Sequence, residues 1–168
     1  IEVSIARQEL TLHGQDGSTH VYPVSTARNG PGERSNSECT PRGRHRVRLV
    51  IGRDCPENAV FVGRRFTGEI YSPALAAAEP GRDWILTRIL WLTGLESGRN
   101  RGGAVDTLRR FIYIHGCPDN APIGRPAFSV CCFLSSRLRP AFSCFRRPQS
   151  SDRPRTASSS SFSNGFCT

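Results

Sequence analysis

The segment His45-Arg-Val-Arg-Leu-Val-Ile51 alternates apolar and charged side chains with a period of two residues. Successive side chains of a β-strand point to opposite faces of the sheet. This pattern therefore places Val47, Leu49 and Ile51 on one face and the arginines on the other. It predicts a strand that is buried on one side and exposed to solvent on the other.

Stretches of similar character lie on both sides of this segment. Apolar runs separated by turn residues predict further strands at residues 3–5, 10–12, 22–27, 59–62, 69–71 and 111–114. Residues 83–92 are typical of a strand buried on both faces, with a helix as the alternative. Residues 74–78 predict a short helix and residues 106–110 a single helical turn. Many short strands with one or two short helices predict a mainly β domain.

The composition of the chain changes after Pro126. Residues 127–168 contain 11 Ser, 6 of the 9 Phe and 4 of the 7 Cys, and they show no rhythm of strands and turns. We therefore predict one domain over residues 1–126, followed by a largely irregular, partly disordered tail at 127–168.

The charge of the chain is basic and unevenly distributed. All 23 basic residues are Arg, and the formal net charge is +9. Residues 1–126 hold 17 Arg against 13 acids, whereas the tail holds 6 Arg against Asp152 alone. A basic tail is compatible with binding nucleic acid, but the mixed-sign body makes this a minor alternative. No apolar run is long enough to predict a membrane span.

The cysteine and histidine spacings do not predict a metal site. The seven Cys are an odd number, none belongs to a CxxC pair, and the four His do not follow zinc-finger spacing. We expect no metal and no cofactor. Cys117 follows His115-Gly116. We do not predict it as the partner of His115, because adjacent side chains of a strand point to opposite faces.

Several segments in a fixed order carry a resemblance to a known family. They are Ile1-Glu-Val-Ser-Ile-Ala-Arg-Gln-Glu-Leu-Thr-Leu12, Tyr22-Pro-Val-Ser-Thr-Ala-Arg-Asn-Gly30, Cys39-Thr-Pro-Arg-Gly43, Asp83-Trp-Ile-Leu-Thr-Arg88, Asn100-Arg-Gly-Gly103, Ile112-Tyr-Ile-His-Gly116 and Ile123-Gly-Arg-Pro126. Each is a weak signal alone. Together, over three quarters of the chain, they resemble the catalytic domain of L,D-transpeptidases of the YkuD type.

The resemblance implies a mainly β fold with a catalytic groove and a reaction on peptidoglycan. In this family a cysteine thiolate attacks the carbonyl before a terminal D-alanine of a tetrapeptide stem and forms a thioester. An amine of a second stem, or water, then resolves the thioester. The implied partners are peptidoglycan peptide stems, and the implied location is the periplasm or cell envelope. The printed sequence shows no signal segment, so this expected location rests on the resemblance alone.

The resemblance also implies site residues. Cys131 falls on the position of the nucleophile, and His115 lines the site or substitutes for the base. Gly116 and Arg88 are expected to bind substrate. The family's Ser-His-Gly-Cys-x-Arg motif is altered, however, because its four other fixed positions hold different residues: Phe128 for Ser, Ser129 for His, Val130 for Gly and Phe133 for Arg.

Two explanations fit this altered motif. The chain is either a degenerate protein or the product of a frameshift just after Pro126, and the abrupt change of composition favours the frameshift. The expected function is therefore that of an L,D-transpeptidase whose own activity is in doubt. The alternatives are a non-catalytic product and an Arg-rich nucleic-acid-binding protein.

Overall fold

The structure is a computed structural model that describes residues 1–127 and 132–135. The described residues form nine strands, one α-helix and a single 3-10 turn at Gly103–Val105. In chain order the elements are β1 Glu2–Ser4, β2 Glu9–His13, β3 Thr19–Ser25, β4 His45–Ile51, β5 Ala59–Val62, β6 Arg65–Ile70, α1 Pro73–Ala78, β7 Ile85–Gly94, β8 Tyr113–Cys117 and β9 Cys132–Ser135. The prediction of a mainly β domain is confirmed.

The strands follow the order β1-β2-β3-β9-β8-β7-β5-β6, and β4 pairs with β7 as well. All described pairs are antiparallel except β8 with β9, which is parallel. Strand β7 therefore has three partners, namely β4, β5 and β8. No helix within the described residues has the length and apolar character needed to cross a membrane.

Strand β7 is the centre of the core. Its successive residues Ile89 and Leu90 are both buried, and each belongs to a different apolar cluster. Leu90 packs in a cluster with Leu10, Leu12, Tyr22, Val24 and Ile114, whereas Ile89 packs with Ala59 and Phe61. Because neighbouring side chains of a strand point to opposite faces, β7 must be apolar on both. This confirms the prediction of a strand buried on both faces at residues 83–92.

Strand β4 has the predicted bounds but not the predicted faces. The register with β7 shifts between Val47 and Leu49, which marks a β-bulge at Arg48. Val47 packs against the cluster of Leu90 and Ile51 against that of Ile89, while Leu49 is 47% exposed. The prediction that these three side chains share one face is wrong, because the bulge resets the alternation of side chains.

Both short helical predictions are confirmed, the first as an α-helix and the second as a single turn. The helix α1 begins after Ser72, whose hydroxyl accepts the backbone N–H of Leu75 at 3.2 Å and so caps its first turn. Residues 106–110 form a hydrogen-bonded turn in which the N–H of Arg110 donates to the carbonyl of Asp106 at 3.0 Å. Only the first of the two is an α-helix.

Strand β9 lies within the residues for which the sequence predicts an irregular tail. It is placed between two strands of the sheet, antiparallel to β3 and parallel to β8. The predicted disorder of the tail concerns residues that, apart from 127 and 132–135, lie outside the described part of the chain.

Candidate active site

The candidate site lies where β8 faces an irregularity in β7. Leu86 of β7 pairs with Gly116 of β8, and Ile89 pairs with His115, so Thr87 and Arg88 are two extra residues on β7. Thr87 has a φ of 68°, which is unusual for a β-branched residue and costs about 1–3 kcal/mol. Its hydroxyl accepts the N–H of Asn58 at 3.2 Å. Bulges of this kind are frequent beside active sites.

Gly116 meets this bulge at very short range. A Cβ at position 116 would lie 2.9 Å from the carbonyl oxygen of Leu86 and 3.2 Å from the hydroxyl of Thr87. The first distance is shorter than a carbon–oxygen contact allows, and the atom concerned belongs to the backbone. Packing alone therefore requires glycine after His115. The predicted role of Gly116 in substrate binding stays a prediction.

His115 is buried beside this contact and is only 1% exposed. Its Nδ1 lies 2.8 Å from the carbonyl oxygen of Gly116. A carbonyl can only accept, so Nδ1 carries the proton, and Nε2 holds the lone pair in the neutral ring. Burial lowers the pKa of His115 to about 4, although the hydrogen bond to Gly116 acts in the opposite direction. The ring is therefore neutral at neutral pH.

This protonation state limits what His115 can do chemically. An unperturbed thiol has a pKa of ~8.5, so moving its proton to an imidazole with a pKa of about 4 costs roughly 6 kcal/mol. Nε2 can accept a hydrogen bond and orient a neighbouring group. In this buried state it is a poor base for generating a thiolate.

Arg88 is the second extra residue of the bulge in β7. Its Nη1 donates to the carbonyl of Thr87 at 2.5 Å and to that of Pro56 at 3.4 Å. The guanidinium thus binds the backbone of its own strand and of the loop before β5. Its predicted role in substrate binding stays a prediction.

The predicted nucleophile, Cys131, lies outside the described residues. Strand β9 begins at the next residue, Cys132, whose Cα pairs with Ile114 beside His115. The structure therefore brings the residue that follows the predicted nucleophile alongside the strand that carries the histidine.

Cys117 is a described cysteine on the same strand as His115. The two residues are two positions apart in β8, so a regular strand places both on one face, and the predicted opposite facing is wrong. Burial first, and Asp119 second, raise the pKa of Cys117 to about 12. A thiol with so high a pKa stays protonated at neutral pH, which makes Cys117 a poor nucleophile.

Several residues that carry the family resemblance prove to be buried hydrogen-bonding groups. Gln8 is 4% exposed, and its side-chain amide binds both the N–H and the hydroxyl of Thr26 at 2.8 Å. Thr40 accepts the N–H of Ala27 at 2.9 Å. Asn100 is fully buried and joins three loop backbone groups. These residues hold the loops around the sheet together, a role that the sequence does not reveal.

A cavity of about 430 Å³ lies at the other face of β8, lined by residues that include Val3, Val47, Leu92 and Ile114. None of the described predicted site residues lines it, so it is not the site that contains His115. Within the described ranges, no three His, Cys, Asp or Glu side chains come together as metal ligands.

The family model of the YkuD L,D-transpeptidase catalytic domain matches residues 1–133. The chain belongs to the YkuD family of L,D-transpeptidases. The match extends beyond the predicted boundary at residue 126 and includes position 131. Neither the curated proteins nor the solved structures gave a match. Membership in the family implies peptidoglycan as the substrate and the cell envelope as the location.

Proposed function

We propose that this chain is a cysteine peptidyltransferase that acts on the tetrapeptide stems of peptidoglycan in the periplasm. Cys131 is the proposed nucleophile, and His115 lines the site. The observation that carries the proposal is the family match over residues 1–133, which spans both positions. The parallel pairing of β9 with β8 supports it, because β9 begins immediately after Cys131.

The proposed reaction has two acyl-transfer steps. The sulfur of Cys131, after losing its proton, attacks the carbonyl before the terminal D-alanine. The peptide bond breaks, the D-alanine nitrogen takes up the proton that the thiol has lost, and a thioester links the stem to Cys131. The amine of a second stem, or water, then attacks the thioester and releases the thiol. The Nε2 lone pair of His115 can accept a hydrogen bond from the amine or water that attacks the thioester.

We infer that any turnover by this chain is slow. Ser129 occupies the position of the family histidine, and His115 is a weak base because burial lowers its pKa to about 4. Loss of a positioned general base typically costs about 10²–10⁴ in rate. This places the expected rate well below that of a family member with an intact motif.

Acylation by a carbapenem tests the proposed nucleophile, because the drug reacts with the family's catalytic cysteine. We expect a mass adduct on Cys131 that is lost in Cys131→Ala and retained in Cys132→Ala, the matched control one residue away. An enzyme of the family with an intact motif is labelled in parallel. If that enzyme reacts and Cys131 does not, the proposal fails.

A second candidate is a protein that binds stems without turning them over. The lowered pKa of His115 favours it, because a neutral imidazole with this pKa is a poor base for Cys131. It predicts stem binding by the wild-type chain with no release of D-alanine. Identical stem binding by Cys131→Ala would support it, whereas release of D-alanine that depends on Cys131 would exclude it.

A further inference from the structure

The turn between β5 and β6 contains a residue in an uncommon conformation. Val62 pairs with Arg65, so Gly63 and Arg64 form a two-residue hairpin loop. Their φ angles are 55° and 66°, as a type I′ turn requires. Asn or Gly is the usual choice at such positions, and a long side chain is unfavourable there. The backbone of the turn therefore does not explain why residue 64 is arginine.

The guanidinium of Arg64 lies over two aromatic rings. Its Cζ is 4.5 Å from the centroid of Phe111 and 5.2 Å from that of Trp91, and the two rings are 5.7 Å apart. Phe111 also has a positive φ, 58°, and is 47% exposed. The indole N–H of Trp91 donates to the carbonyl of Leu108 at 3.2 Å, which holds the ring in place. Two unfavourable backbone conformations thus meet in one side-chain cluster.

This cluster continues towards the candidate site. Trp91 pairs with Tyr113 across β7 and β8, and the ring of Tyr113 lies 5.5 Å from that of His115. We call Phe111, Trp91 and Tyr113 the aromatic band. The ring of His115 lies 5.5 Å from that of Tyr113, and Arg64 lies 5.2 Å from the ring of Trp91. With neighbouring strands ~4.8 Å apart, the path through these two rings is roughly 15 Å long. A four-residue peptide extends to about 14 Å, a comparable length.

The charge at the outer end of the band is unpaired within the described part of the chain. No described carboxylate forms an ion pair with Arg64, whereas Arg7, Arg42, Arg82 and Arg99 each have one. The two cation–π contacts involve the Cζ of Arg64, and no described carboxylate pairs with its N–H groups. A planar guanidinium held in this way matches the two oxygens of a carboxylate.

We propose that Arg64 and the aromatic band bind a peptide stem through a free carboxylate of the stem. The carboxylate accepts two N–H bonds from Arg64, and the apolar parts of the stem lie against the exposed side chain of Phe111 and the ring of Trp91. This inference rests on the proposed function, because it takes the peptide stem as the ligand. It assigns Arg64 the role of a specificity-determining residue.

Binding is measured in the Cys131→Ala background, so that no acyl transfer occurs. The probes are a synthetic tetrapeptide stem with free carboxylates and the same peptide with its carboxylates amidated. We expect Arg64→Gln to weaken binding of the free acid about tenfold to a hundredfold and to leave the amide unchanged. Arg65→Gln is the matched control, because it removes the same charge from the next residue.

A second variant separates binding from folding. Arg64→Asn suits the left-handed turn better than arginine does, so we expect a melting temperature at or above that of the parent together with the same loss of free-acid binding. Equal losses in the two glutamine variants, or equal affinity of the parent for acid and amide, would overturn the inference. Neither outcome bears on the carbapenem adduct at Cys131, which tests the proposed function separately.

Discussion

Replacing His115 with phenylalanine removes a buried imidazole from β8 and with it a pH-dependent part of the folding free energy. Burial lowers the pKa of His115 from 6.5 to about 4 in the folded chain, so the unfolded chain binds more protons between these values. Stability from this group is therefore fully present above pH 6.5 and is lost as the pH falls towards 4. The shift corresponds to about 3 kcal/mol.

The assay is urea-induced unfolding followed by tryptophan fluorescence at several pH values from 7.5 to 4. The wild-type chain is expected to lose about 3 kcal/mol more than His115→Phe over this range. Carboxylates with lowered pKa values, such as Glu33 and Glu69, lose their own contribution at the acid end in both proteins and cancel in the difference. His20→Phe, which replaces an exposed histidine of β3, controls for loss of an imidazole as such.

The reasoning is refuted if wild type and His115→Phe show parallel dependence on pH. Such a result would mean that the imidazole of His115 is protonated as easily in the folded chain as in the unfolded one. His115 would then be a stronger base than its burial implies, and the expectation of slow turnover would lose its physical support.

Three further predictions concern the same strands and loops. Gly116→Ala is expected to destabilise the fold by about 1–3 kcal/mol, because the added Cβ would meet a backbone carbonyl oxygen at 2.9 Å. The melting temperature should fall, and an unchanged melting temperature would contradict the prediction. Asn100→Ala should cost about 2–4 kcal/mol in urea unfolding, because this buried side chain makes three hydrogen bonds that the variant loses. The exposed control Asn120→Ala should stay within about 0.5 kcal/mol, and similar losses in the two variants would speak against the prediction. Iodoacetamide at pH 8 should modify Cys39 before Cys117, because burial raises the pKa of Cys117 to about 12. Mass spectrometry of the labelled peptides gives the order of modification, and labelling of Cys117 before Cys39 would refute the prediction.

Most of the regular elements could be predicted from local sequence. Strand β4 was expected at its observed bounds, because alternation with a period of two is visible within seven residues. Strand β7 was expected because a run rich in β-branched and aromatic residues fits burial on both faces. The family could also be predicted from the sequence, because short motifs in a fixed order can be recognised without knowing which residues they contact.

Strand pairing decided the features that could not be predicted from the sequence. The bulge at Arg48, the two extra residues at Thr87 and Arg88, and the position of β9 between β3 and β8 depend on partners far away along the chain. No local pattern carries that information, because register is a property of two strands together. Leu49 is exposed because the bulge at Arg48 reverses the faces to which the following side chains of β4 point.

The chemistry at the candidate site also has one part that the sequence determines and another that only folding determines. The sequence alone determined which residue types stand at the family's positions. His115 and Gly116 are present, whereas the Ser, His, Gly and Arg of the motif are replaced by Phe128, Ser129, Val130 and Phe133. Only the tertiary structure decided that His115 is neutral and that Gly116 has no room for a side chain. The close contact at Gly116 comes from β7, which lies more than twenty residues earlier in the chain, and the burial of His115 likewise arises only when the chain folds.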